Sequence, residues 1–148
     1  MLQHDYLLEV INEFVETASR ALRSAYSSHE PSEALEEVRE AEQDVSALLD
    51  LDPSVAMSLE PDSLVTMMVL SGLGDAVSAY VAFVLSRLAQ LYEKMGDSNT
   101  ASLRREQVNA IVTSFGCDPS RPPEEFSDLA RELDAHGPAF EQASTEVD

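Results

Sequence analysis

The stretch from Asp75 to Gly116, DAVSAYVAFVLSRLAQLYEKMGDSNTASLRREQVNAIVTSFG, decides the fold. Between Asp75 and Met95 the first half of the run is apolar nearly all round, which places a helix at the centre of a bundle and not on its surface. Gly96 supplies the left-handed residue that ends a helix without steric cost, and Lys94 faces the negative end of the helix dipole. Asp97 or Ser98 can cap the next helix, which turns Ala101, Val108, Ile111, Val112 and Phe115 inward and stops at Gly116.

Toward the N-terminus, Ser63 to Gly74 carries no charge, and neither does Ala76 to Ser86. Each run is about half of the roughly 20 residues that a membrane span needs. A single span through both would leave Asp75 at mid-membrane, so Gly72, Gly74 and Asp75 read as a helix stop and start within a buried antiparallel pair. Pro53 and Pro61 bracket SVAMSLE, which has room for one or two helical turns with proline at the first position. The opening segment repeats Leu7, Val10, Ile11, Phe14, Val15, Ala18, Ala21, Leu22 and Ala25 at helical spacing, which predicts a helix from about Asp5, as its cap, to Tyr26. A second helix with Ala34, Leu35, Val38, Ala41, Val45, Leu48 and Leu49 inward follows the break at Ser27 to Pro31.

Downstream, Cys117 to Pro123 is irregular, and Phe126, Leu129, Ala130 and Leu133 mark a short last helix. No stretch alternates with period two over the length of a strand, so the expected fold is all-α. It is an antiparallel helical bundle of about six to seven helices in one domain, residues 1–136, followed by a frayed acidic tail, residues 137–148.

Composition agrees with a folded chain. Leu, Ile, Val and Phe make up about a quarter of the 148 residues, above the fifth or less that marks disorder. The single Cys cannot form an internal bridge, and the opening MLQHDYLLEV has no basic region or cleavage site, so a reducing cytoplasm is the expected location. A formal net charge of -19 gives the field the wrong sign for nucleic-acid backbones or anionic lipid.

The segment from about Ala82 to Phe115, with Leu88, Ala89, Tyr92, Gly96, Asp97 and Ala101, resembles a tetratricopeptide repeat (TPR), in which small residues let two helices approach across a Gly-Asp turn. It departs from that pattern at Arg105, Val108 and Thr113, and a weaker echo stands at LLDLDP, Leu48 to Pro53. The opening Gln3, Asp5 and Tyr6 with the helix that follows is also similar to a family of small uncharacterised bacterial proteins. That likeness implies a bacterial cytoplasmic helical domain and no particular chemistry. The repeat resemblance implies a groove lined from its first helix, at positions matched here by Phe83, Ser86, Gln90, Glu93 and Lys94.

Catalytic patterns do not assemble. His4, His29 and His136 are scattered, and Glu132 with His136 has half-site spacing, although His136 at a helix end is explained by the dipole. The acid-rich runs Glu33 to Glu42 and Glu124 to Glu132 read as solvated faces, without the spacing of a calcium loop. Cys117 follows a helix C-terminus, a setting that raises a thiol pKa. Met57, Met67, Met68 and Met95 read as adaptable packing. Asp75, alone between apolar runs, is explained by the start of a helix. The expectation is a non-catalytic protein-interaction or scaffold module without cofactor, whose partner protein is basic if the acidic surface takes part. The alternatives are a structural homodimer and a helical bundle with a small-molecule pocket.

Overall fold

The apolar spacing of the opening segment closes Ile11, Phe14, Ala18, Leu22 and Ala25 against solvent along one face of helix α1, Leu2–Ser27. The computed structural model describes residues 2–140, with side chains from Tyr6 onward. Asp5 stands inside α1 and not at its cap, because the helix begins three residues earlier. After α1 come α2 (Pro31–Leu48), α3 (Pro53–Ala56), α4 (Pro61–Ser71), α5 (Gly74–Lys94) and α6 (Ser98–Phe115). A 3-10 turn, Glu124–Phe126, leads into α7, Ser127–His136. Among the described residues there is no strand, and the fold is all-α.

Two helical hairpins, α1 with α2 and α5 with α6, make the most extensive helix pairs. The α5–α6 turn shows why it is tight. Gly96, at φ +89°, donates its N–H to Glu93 O, and Asp97 N donates to Tyr92 O at 2.9 Å, so the end of α5 is sealed. The Asp97 carboxylate then accepts from Thr100 N at 3.1 Å and caps α6. Of the two candidate caps, the carboxylate takes the role.

Along α5, Val77, Val81, Val84, Leu85, Leu88 and Leu91 are wholly buried, as expected of a central helix. Gly74 opens α5 where a Cβ would stand 2.8 Å from the Phe115 ring, so the absence of a side chain lets α6 close on the start of α5. Asp75 falls in the first turn, favourable for the dipole, without a side-chain cap bond.

Three expectations need correction. The uncharged run before Gly72 is not a buried half of a pair with α5: α4 lies chiefly on α6, buries Leu64 and Met68, and leaves Val69 and Leu70 58% and 73% exposed. Lack of charge on a helix is not burial when only one of its faces meets a neighbour. Glu42 does not belong to a solvated face, for it is 7% exposed among α2, α5 and α6. The packed domain also runs past His136. Ala139 N donates to Tyr26 O at 2.7 Å and Phe140 is 1% exposed, so one buried ring pins the chain back on α1. The rest of the expected tail, 141–148, lies outside the described residues.

Candidate interaction surfaces

On α5, Ser86, Gln90 and Glu93 recur at the three-and-four spacing that shares a helix face, and Arg105, Val108 and Asn109 do the same on α6. Across the antiparallel hairpin these faces bound a cleft of about 550 Å³, which Lys94 and Pro138 also line. Ala89 and Val108 form its apolar floor, both nearly closed to solvent. Glu93 and Arg105 pair across it at 3.2 Å. Gln90 is held in place by its neighbours, its Oε1 accepting from the Tyr26 hydroxyl at 2.6 Å and from Arg87 Nη1 at 3.4 Å. Arg87 in turn makes a 2.7 Å bond to Asp134 on α7, and that guanidinium holds the Asp134 carboxyl below its ordinary pKa.

Four of the five residues that the repeat resemblance picked out, Ser86, Gln90, Glu93 and Lys94, therefore line one cleft. Phe83 does not. It is 1% exposed and stacks on Phe126 with ring centroids 4.6 Å apart, so it belongs to the core that holds α7 against α5. The cleft presents both signs of charge, with Lys94 and Arg105 beside Glu93, and is not an acidic surface.

A second groove, of about 750 Å³, does carry acidic groups. Tyr6, Val10, Glu13, Phe14 and Thr17 contribute one stripe of α1; Asp44, Ala47 and Leu48 come from the end of α2; Met67 and Leu70 come from α4. The turn after α2 adds Asp50 and Leu51. Asp50 occupies the left-handed region, φ +57°, where the turn closes through Asp50 N to Ala47 O and Leu51 N to Ser46 O. Burial pushes the Asp44 carboxyl above the ordinary Asp range, and the Glu40 and Glu13 charges add to that, against the opposing Thr17 hydroxyl and Arg20.

Deep between the hairpins lies a polar network that sequence reading missed. The Glu42 carboxylate accepts from Arg104 Nη2 at 2.8 Å, from Arg104 Nε at 3.2 Å and from the Tyr92 hydroxyl at 2.8 Å. Arg104 Nη1 reaches Met57 O at 2.9 Å, and Gln107 Nε2 reaches Leu59 O at 2.9 Å. Burial and the Glu42 charge drive the Tyr92 phenol far above its ordinary pKa. Every described buried side-chain polar atom has a partner. The network thus joins α2, α5, α6 and the α3–α4 connection, with Glu42 Oε2 as its hub.

Comparison of the chain with family models, curated proteins and solved structures finds no match in any of the three. The two concave surfaces therefore rest on geometry alone. Elsewhere, Glu132 is engaged by Arg23 Nε at 3.1 Å and His136 is exposed at the end of α7. The described residues hold no cluster of three or more His, Cys, Asp or Glu side chains that could bind a metal ion. Cys117 is half-buried, and burial raises its thiol pKa. No described helix is long and apolar enough to cross a membrane.

Proposed function

We propose that the chain is a non-catalytic helical interaction module whose α5–α6 cleft holds a polar segment of a partner protein. The observation that supports this reading is the convergence of Ser86, Gln90, Glu93 and Lys94 with Arg105 and Asn109 around the apolar floor of Ala89 and Val108. An apolar strip between polar groups of both signs suits a protein segment that brings carboxylates and amides of its own. The non-catalytic part of the reading draws on the buried titratable groups, since Glu42, Tyr92 and Arg104 are engaged with one another.

The test uses the full chain as bait for a lysate of its source organism, beside a Lys94→Glu/Asn109→Lys variant. Both positions line the cleft outside the core. A stoichiometric partner retained by the parent chain and lost by the variant supports the reading, and a partner retained equally by both overturns it. A second reading, a structural homodimer, draws on Val69 and Leu70, exposed side by side on α4. Light scattering decides that point: a salt-insensitive dimer that Leu70→Glu converts to a monomer favours the homodimer.

A further inference from the structure

We infer that the groove between α1, the end of α2 and α4 is a docking site for a basic amphipathic helix of a partner protein. The floor is apolar, with Val10, Leu48 and Leu51 beneath and Met67 and Leu70 on the α4 side. Leu70 is 73% exposed and Tyr6 66%, so large apolar side chains stand at the mouth, where water gains nothing from them. Along the same groove lie three carboxylates, Glu13, Asp44 and Asp50, and none of the described lining residues is basic.

The occupant follows from these features. An apolar floor edged by carboxylates complements a segment with apolar anchors on one side and Lys or Arg beside them. The walls are helices whose backbone N–H and C=O groups are already paired within α1, α2 and α4. An extended peptide would leave its own backbone unpaired in such a groove, whereas a helix arrives with those bonds made. The stripe from Tyr6 to Thr17 rises about 16 Å along α1, so the site accepts about three turns of helix. A second copy of the chain brings the wrong sign, for the net charge is -19. The chain's own residues 141–148 hold Glu141, Glu146 and Asp148 and no cation.

The experiment uses the full chain and a synthetic helical peptide of about 14 residues, with Leu at i, i+4, i+7 and i+11 and Lys flanking them. Binding is read by fluorescence anisotropy at low and high salt, and peptide helicity by circular dichroism. The expected result is saturable binding with a gain in helicity, weakened about tenfold or more by Asp44→Asn/Asp50→Asn and, separately, by Leu70→Glu. Neither change threatens the fold, since Asp44 is a partly buried carboxylate, Asn tolerates the left-handed conformation of Asp50, and Leu70 is exposed. Neutralising Glu33 and Glu36 at the far end of α2 controls for general charge and should leave the affinity within about twofold. Equal binding of a peptide with the same residues in scrambled order, or an unchanged affinity in Asp44→Asn/Asp50→Asn, overturns the proposal. So does absence of binding at low salt.

Discussion

The Arg104 guanidinium grips the Glu42 carboxylate through Nη2 at 2.8 Å and Nε at 3.2 Å, and each residue is less than a tenth exposed. A buried ion pair of this kind is costly to break by halves, because the survivor stays charged in a poorly solvated site. Glu42→Leu alone is expected to destabilise the fold by about 3–5 kcal/mol, and Arg104→Met alone by a similar amount. The double variant Glu42→Leu/Arg104→Met should recover most of that loss, although the Tyr92 hydroxyl and Gln107 Oε1 then lose the partners they have here and the Met57 carbonyl keeps only Gln107 Nε2 at 3.4 Å. Urea unfolding of the four proteins gives the coupling directly, and additive losses would show that the two side chains act independently.

At Gly74 the constraint is steric. A Cβ there meets the Phe115 ring at 2.8 Å and Met68 O at 3.1 Å. Gly74→Ala should cost about 1–3 kcal/mol as the ring is forced aside. Adding Phe115→Leu should restore part of that loss, which a purely conformational role for the glycine does not predict. Thermal melts of both variants decide it.

Asp97 serves two helices in succession, closing α5 through its N–H and starting α6 through its carboxylate. Asp97→Ala removes only the second role, for the backbone bond to Tyr92 O remains. The expected loss is about 1 kcal/mol. Asp97→Ser, which keeps an acceptor, should recover most of it in the same urea titration.

Much of this architecture was legible in the residues. The spacing in α1, α2 and α6 marked their buried faces, and the Gly96-Asp97 pair marked the turn that the backbone makes. The sequence pattern put Glu42 on a solvated face and gave Arg104 no role, although their positions told against exposure: 42 falls in the stripe of Val38, Val45 and Leu49, and 104 in that of Ala101, Val108 and Ile111. A charge on an apolar stripe calls for an opposite charge on another helix, and helix pairing is what a linear pattern does not state. Phe83 went astray for a related reason, since spacing on α5 relates it to Ser86 and Gln90, while its burial depends on Phe126, distant in sequence. The acidic groove joins α1, α2 and α4, so no single segment carries its signature.

Phe140 tests how far the domain extends. Its ring is 1% exposed in a segment whose neighbours Gly137, Pro138 and Ala139 offer little else to hold them. Phe140→Ala is expected to cost about 3 kcal/mol if the ring is core. Hydrogen exchange at the Ala139 amide, bonded to Tyr26 O, is the local measurement. Its protection should collapse in the variant, whereas a ring resting loosely on the surface would leave both stability and exchange unchanged.

The burial of Asp44 sets the sign of a pH dependence in stability. Its folded-state pKa is raised, mainly by burial and further by the Glu40 and Glu13 charges, so the folded chain holds that proton more tightly than the unfolded chain. The contribution to stability is fully present below the unfolded value of about 3.9 and is lost as pH rises through the folded value. At neutral pH the ionised carboxylate therefore opposes folding. Asp44→Asn should raise the urea midpoint at pH 7, and its advantage should shrink as pH falls toward the ordinary Asp range. The comparison is between the two chains at each pH, which cancels the titration of carboxylates that do not interact with Asp44. An advantage that stayed constant down to pH 3 would assign the effect to packing of the amide and not to the charge of Asp44.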